Sequence, residues 1–285
     1  MEWKKLFVPS TDISADQAKA LLSSGPGEAP QLLDVRQPGE YEAGHLAGAV
    51  LIPLKELADR YQELDQGKPV VVYCAVGGRS KVAAQLLMGL GLAVVYNMTG
   101  GIKAWSGGQA TGPEGAGLEW LLGGQRFADG LALALTMEDG LCRLYSQLAE
   151  RAEPGEERQL YGRLAGFEAQ HRAKLMALSS PPSGEAQAVA ARGEIIEGGG
   201  RLTEALTEAA GQGRDPQGIL QWAMALETQA LDLYLRLARK AEDSELKALF
   251  SSLAEEEKGH LAWLAQALDR ALTGAGTPSA ALAER

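Results

Sequence analysis

Only two cysteines, Cys74 and Cys142, occur in the 285 residues. At most one disulfide could form, and neither a disulfide framework nor a four-cysteine metal site can exist. Basic residues are also scarce: 27 Lys and Arg stand against 37 Asp and Glu, for a net charge of −10, and no basic stripe interrupts the pattern. Nucleic acid is therefore not an expected partner. Long apolar runs are missing too. None approaches the roughly 20 residues that span a bilayer, so no membrane association is expected. The first nine residues carry Lys4 and Lys5 but no apolar core or small-residue cleavage site, which is not a signal peptide. A cytoplasmic location is the resulting expectation.

What is present divides into two textures. Up to about residue 106, short β-like runs alternate with helical patterns. Leu32–Val35, Val50–Ile52, Val70–Tyr73 and Val94–Tyr96 read as buried strands, and Ser14–Ser23, Leu54–Leu64 and Ser80–Leu90 as helices. Asp12 or Ser14 is placed to cap the first helix. Alternation of this kind predicts an α/β domain with a mainly parallel sheet over residues 1–108. A glycine-rich stretch follows, with residues 109–117 read as a linker. Long helical patterns then run over about 126–152, 156–179, 216–241 and 243–272, with a shorter one at 201–210. The bundle domain is expected over 118–274 and a flexible tail over 275–285. Most of the negative charge falls in this second part.

The second part also repeats itself. Shifted by 89 residues without a gap, Glu138–His171 falls on Glu227–His260 with 13 of 34 positions identical. Two helix pairs joined by a long crossover predict a pseudo-symmetric four-helix bundle.

Cys74 is the first candidate for chemistry. Cys74-Ala-Val-Gly-Gly-Arg-Ser80 follows a strand and leads into a helix. Adjacent glycines permit a tight loop whose N–H groups converge on an anion at the helix N-terminus. A thiol there is pushed toward the nucleophilic thiolate, and a persulfide on its sulfur would meet the same donors. Four residues separate Cys74 from Arg79. By family resemblance rather than geometry, phosphatases of related architecture have a longer loop, wide enough for phosphate, and a ring of this smaller size is implied to suit a sulfur atom.

Together with Leu32-Leu-Asp-Val-Arg-Gln-Pro-Gly-Glu-Tyr-Glu-Ala-Gly-His-Leu-Ala-Gly-Ala-Val-Leu-Ile-Pro53 and Gly100-Gly-Ile-Lys-Ala-Trp105, this loop resembles the rhodanese sulfurtransferase family over about residues 3–106. The resemblance implies that Cys74 accepts a sulfane sulfur from a small donor and passes it to a thiol or protein acceptor. It also implies persulfide stabilisation by Ala75, Val76, Gly77, Gly78, Arg79 and Ser80. Efficient thiosulfate users in that family carry a basic residue just after the cysteine, where this chain has Ala75. Arg79 is expected to pair with a carboxylate such as Asp34, Arg36 to brace the first strand, and His45 to be a framework residue.

The bundle carries the second candidate. Glu168-Ala-Gln-His171 and Glu257-Lys-Gly-His260 each place a glutamate and a histidine on one helix face that is otherwise apolar. Glu138 and Glu227 interrupt the apolar stripes of the other two helices. Buried carboxylates need partners, and four of them balance two divalent cations. Two single glutamates plus two Glu-x-x-His pairs form the di-metal carboxylate pattern of ferritin-like bundles. Oxygen-rich ligands with one imidazole per metal suit two ions of iron or manganese.

The arrangement resembles the rubrerythrin family over about residues 126–270. That resemblance implies Glu138, Glu168, His171, Glu227, Glu257 and His260 as ligands, with Tyr145 and Tyr234 as hydrogen-bond donors to the glutamates. Cys142, one turn beyond Glu138, reads as a small core residue.

The expected whole is an α/β rhodanese-like domain fused to an all-α ferritin-like four-helix bundle. Its expected function is a sulfurtransferase with a linked redox, oxygen or iron activity. A sensor of oxidant or iron, or a sulfur or iron carrier with little turnover, is the alternative. A homodimer through the bundle is the expected self-association.

Overall fold

The computed structural model describes residues 9–24, 29–118, 127–178, 195–211 and 215–273. They belong to two compact units, Met1–Glu114 and Gly115–Arg285. The tail expected at 275–285 and the stretch 119–126 lie outside the described residues.

In the first unit, five strands form one sheet: β1 (Thr11–Ile13), β2 (Gln31–Asp34), β3 (Val50–Leu51), β4 (Val70–Tyr73) and β5 (Val95–Met98). Their order is β1-β5-β4-β2-β3 and every pairing is parallel, with Leu33 opposite Val72 and Val72 opposite Asn97. Helices α1 (Ala15–Leu22), α2 (Pro38–Ala43), α3 (Leu57–Arg60) and α4 (Gly78–Gly89) connect them. A parallel sheet covered on both sides favours near-continuous apolar runs in its inner strands, and the middle strand, Val70-Val71-Val72-Tyr73, is such a run.

Successive residues face opposite ways. Val70, Val72 and Cys74 pack with Leu57, Ala83 and Leu87 on one side, and Val71 and Tyr73 with Ala18, Tyr41 and Ile102 on the other. Ser14, rather than Asp12, caps α1: its hydroxyl accepts from Gln17 N–H at 3.2 Å while the Gln17 side chain accepts from Ser14 N–H at 2.8 Å.

Two elements, β1 and α2, have no counterpart among the predicted ones. With three and six residues they are too short to show a period. The predicted helix at Leu54–Leu64 is reduced to α3 and a 3₁₀ turn, Tyr61–Glu63. The glycine-rich stretch is partly tied to the first unit: His45 and Ala110 exchange backbone hydrogen bonds at 2.8 and 2.9 Å, and Gly112 N–H donates to Glu42.

The second unit contains α5 (Phe127–Arg151), α6 (Glu156–Leu178), α7 (Leu202–Gly211), α8 (Pro216–Lys240) and α9 (Ser244–Thr273). The pairs α5 with α6 and α8 with α9 pack along their lengths, as short breaks between partners dictate. Asp215 caps α8 and Pro216 occupies its first turn. Leu141, Leu144, Leu164, Leu220, Ala223 and Leu264 are part of the core. No described helix is long and apolar enough to cross a membrane.

Candidate active site and metal centre

Cys74 follows β4, the middle strand of the sheet, at its carboxyl end. There β2 and β4 lie side by side while the chain departs in opposite directions, the place where α/β sheets open a crevice. Gly77 has φ +99° and caps α4, so a residue that adopts the left-handed region without strain is required at the bend. The bend turns backbone donors toward the sulfur: Gly77 N–H donates to Cys74 Sγ at 3.1 Å, and Ser80 Oγ lies 3.5 Å from it.

Burial pushes the Cys74 thiol up. The Ser80 hydroxyl and the N–H groups of Ser80, Val76 and Gly77 outweigh that and hold it below the ordinary thiol range. Gly78 begins α4, and Val76 projects from the rim at 60% exposure.

The Gly100–Trp105 segment explains itself here. Ile102 N–H donates to the Cys74 carbonyl at 2.8 Å and Lys103 N–H to that of Ala75 at 3.2 Å. Gly101, at φ +59°, lies so close to Cys74 and Ala75 that a Cβ would overlap their backbone. The segment clamps the cysteine loop from behind.

Arg79 does not pair with Asp34, as the sequence suggested. Its guanidinium makes a two-pronged contact with Glu40, at 2.7 and 2.6 Å, and Asp34 is taken by Arg36 at 2.7 Å. The reason is local. The chain turns sharply after β2, so Arg36 N–H and its side chain both fall on Asp34, while α2 presents Glu40 toward the start of α4. Hydrogen bonds from Arg79 hold the Glu40 carboxyl down at about 2. Arg36 braces the turn as expected, reaching the Gly44 carbonyl at 2.6 Å. His45 is buried, stacked on Tyr41 with ring centroids 3.6 Å apart, consistent with a framework role.

The two cysteines differ. Half-buried Cys142 has its sulfur 3.6 Å from the Ala165 carbonyl, and burial raises its thiol. A raised thiol needs higher pH to ionise and a lowered one less. Alkylation by iodoacetamide, followed by peptide mass spectrometry, should therefore begin at lower pH for Cys74 than for Cys142. Coincident pH profiles would contradict the effect assigned to the loop donors.

In the second unit all six expected side chains converge. Glu138, Glu168, Glu227 and Glu257 are fully buried, and His171 and His260 nearly so. His171 Nδ1 lies 3.2 Å from Glu138 Oε2 and 3.7 Å from Glu257 Oε1. His260 Nδ1 lies 3.3 Å from Glu227 Oε2 and 3.4 Å from Glu257 Oε2. The imidazoles stack with centroids 4.6 Å apart.

Both oxygens of Glu168 and of Glu257 are buried without a hydrogen bond. Burial, reinforced by the neighbouring carboxylates, pushes both acids well above the carboxylate range. Four orphaned acceptor atoms beside two inward nitrogens form a donor set that fits cations, because leaving them bare is costly.

The tyrosines act across the bundle. Tyr145, on the helix of Glu138, donates to Glu227 at 2.9 Å, and Tyr234, on the helix of Glu227, brings its hydroxyl oxygen to 3.1 Å from Glu138.

Sequence reasoning missed two acids. Glu256 receives His171 Nε2 at 2.9 Å and Lys174 at 2.8 Å, and these contacts overcome partial burial to hold it at about 2. Beside it, Leu175, Leu178, Leu249 and Leu253 line a cavity of about 440 Å³. Glu197, from the crossover between α6 and α8, is 2% exposed and accepts from Tyr234 at 2.6 Å. No period marks either position as inward. The described donor atoms gather into sets that include Glu138, His171, Glu197 and Glu257 in one, and Glu168, Glu227 and His260 in another.

Comparison with known proteins gives each unit a family match. The Rhodanese-like domain family matches residues 14–107, and the Rubrerythrin family matches residues 218–275, which hold Glu227, Glu257 and His260. The chain is 48% identical over 77 residues to YqhL of Bacillus subtilis, covering 27% of this chain and 61% of that protein. It is 38% identical over 93 residues to thiosulfate sulfurtransferase GlpE of Pseudomonas syringae, covering 33% of this chain and 84% of that one. A rhodanese-like domain protein of Staphylococcus aureus aligns in structure at 30% identity over 35% of this chain and 97% of that one, with a TM-score of 0.33. These relatives match the N-terminal third.

Proposed function

Because the chain belongs to the rhodanese-like family through its first unit and carries a rubrerythrin domain in its second, we propose that it transfers sulfane sulfur through a persulfide on Cys74. We further propose that Glu138, Glu168, His171, Glu227, Glu257 and His260 hold two iron or manganese ions. The observation that carries the first reading is the ring of donors around Sγ, with Gly77 N–H at 3.1 Å and the Ser80 hydroxyl at 3.5 Å.

The step balances without an external oxidant or reductant. The Cys74 thiolate attacks the outer sulfur of a donor, the donor's S–S bond breaks, and its remainder leaves with the electron pair. An acceptor thiolate then attacks the outer sulfur of the Cys74 persulfide, takes it, and releases the Cys74 thiolate. The loop N–H groups face negative charge in both states, so they favour the thiolate and the persulfide anion alike. Arg79 is committed to Glu40 on both prongs, so its charge is largely neutralised at the rim.

Donor choice can be tested at the next position. Ala75 brings no charge, so an anionic donor such as thiosulfate lacks a partner worth on the order of 1 kcal/mol at a partly buried site. Thiosulfate turnover by the wild type is expected to be weak. Ala75→Arg or Ala75→Lys should raise kcat/KM by roughly fivefold to tenfold, since about 1.4 kcal/mol corresponds to a factor of ten. Equal or lower values in both variants would show that this position does not govern donor binding.

In the bundle, the donor set supports the metal reading: Glu168 and Glu257 offer four buried oxygens without hydrogen bonds, and each histidine turns Nδ1 inward. When bound, such ions would supply one-electron redox chemistry and coordination of oxygen or peroxide. The protein residues have separate tasks. Tyr145 orients Glu227 by a hydrogen bond, Tyr234 donates to Glu197 beside Glu138, and Glu256 fixes the ring of His171 through Nε2.

A further inference from the structure

The pseudo-twofold repeat pairs Glu138 with Glu227, Glu168 with Glu257, His171 with His260 and Tyr145 with Tyr234. Glu197 has no twin, because the crossover that carries it occurs once. Resting on the metal-binding reading above, we propose that Glu197 is a seventh ligand that makes the two metal positions unequal. It adds a carboxylate to the half built on Glu138 and His171 that the half built on Glu227 and His260 lacks.

Three observations carry this. First, Glu197 brings a donor atom into the same set as Glu138, His171 and Glu257, all lying within 4.8 Å of one another. Second, its two oxygens are differently employed. Oε1 accepts the Tyr234 hydroxyl at 2.6 Å, whereas Oε2 is buried with no hydrogen bond. A buried acid that serves only to receive a tyrosine would leave that second oxygen at full cost.

Third, the turn is built to place it. Gly198 and Gly199 have φ of +77° and +82°, and a Cβ on Gly198 would come within 2.7 Å of the Gln229 side chain on α8. On α5, a Cβ on Gly140, two residues beyond Glu138, would overlap the Ile195 carbonyl. Glycines on both sides thus let the crossover press against two bundle helices, with Ile196 N–H closing the turn on Gly200 at 2.9 Å.

An additional anionic oxygen strengthens the half that holds it for a hard divalent cation. Anaerobic titration of the full chain with Mn(II), with free ion read by electron paramagnetic resonance, should show two ions bound with distinct affinities. Glu197→Gln preserves shape and removes the charge. It should weaken the tighter step by at least about 10–100-fold, since loss of a group that only holds a ligand already costs about that much. The other step should stay within about twofold. Glu197→Ala should behave alike, and exposed Glu204→Gln should match the wild type.

Circular dichroism and melting of the apo variants would separate a lost ligand from a lost fold. Two equal affinities in the wild type, an unchanged tight step in Glu197→Gln, or equal weakening of both steps in a folded variant would each overturn the proposal. A wild type that takes no Mn(II) would instead sink the metal-binding reading on which it rests.

Discussion

Cys74→Ser is expected to abolish sulfur loading from every donor, with a loss on the order of a thousandfold or more in transfer rate. The substitution nearly preserves size, and the Gly77 N–H would still find an acceptor, so the loop should keep its shape. What disappears is the ionisable sulfur. The loop donors and the Ser80 hydroxyl hold the Cys74 thiol below its ordinary range against the opposing effect of burial, whereas a serine hydroxyl remains protonated there. Mass spectrometry of intact protein after exposure to a sulfane donor should show a one-sulfur adduct on the wild type and none on the variant. The melting temperature should change little, since no cavity or unpaired buried charge is created. An undiminished adduct on Cys74→Ser would place the sulfur elsewhere, with Cys142 the residue to examine.

Removing metal should destabilise the second unit and spare the first. Glu138, Glu168, Glu227 and Glu257 are fully buried around two imidazoles, and Glu168 and Glu257 lack hydrogen bonds on either oxygen. A ligand present at about 100 times its dissociation constant stabilises the folded state by about 2.7 kcal/mol. For a unit of this size, that corresponds to a fall of roughly 5–10 °C on chelation. Calorimetry with and without a chelator should show the shift in the transition of Gly115–Arg285 and almost none in that of Met1–Glu114.

Glu168→Ala and His260→Ala should lose most of their metal. Glu255→Ala should retain it, because Glu255 pairs with Lys258 at the surface, 2.8 Å away. Two ions per chain and visible absorption in the oxidised protein would identify iron. Well-folded protein that takes up no metal under reducing, iron-replete conditions would show the cluster to be a scaffold only.

Much of this was legible in the sequence, and the legible parts share a cause. Where the described residues continue past them, the ends of the long helices fall within a residue or two of their predicted limits, because their apolar stripes run for many turns and stop at Pro154-Gly155, Asp215-Pro216 and the break before Ser244. The strands of the sheet core appear as short apolar runs because both faces of a parallel sheet are buried. Six of the inward polar side chains of the bundle were visible because they interrupt those stripes twice, at matching positions of an internal repeat. Cys74 was visible because its loop, set between strand and helix, holds two glycines in sequence.

The remainder depended on contacts between residues distant in the chain. Nothing near Glu40 marks it as the partner of Arg79, 39 residues away. That pairing exists because α2 and the start of α4 meet at the carboxyl end of the sheet. The tyrosines were found, but not that each reaches the glutamate of the other helix.

Glu197 lies in a segment without period or repeat, and it joins the buried carboxylate and histidine cluster only when Gly140 and Gly198 allow the crossover to lie against α5 and α8. Sequence determined which residues have the chemistry and which helix or loop carries them, since periodicity and glycine placement act locally. Tertiary structure alone decided which charges neutralise one another and how many carboxylates share the buried centre. Those outcomes are set by distance and desolvation in three dimensions, where separation along the chain no longer counts.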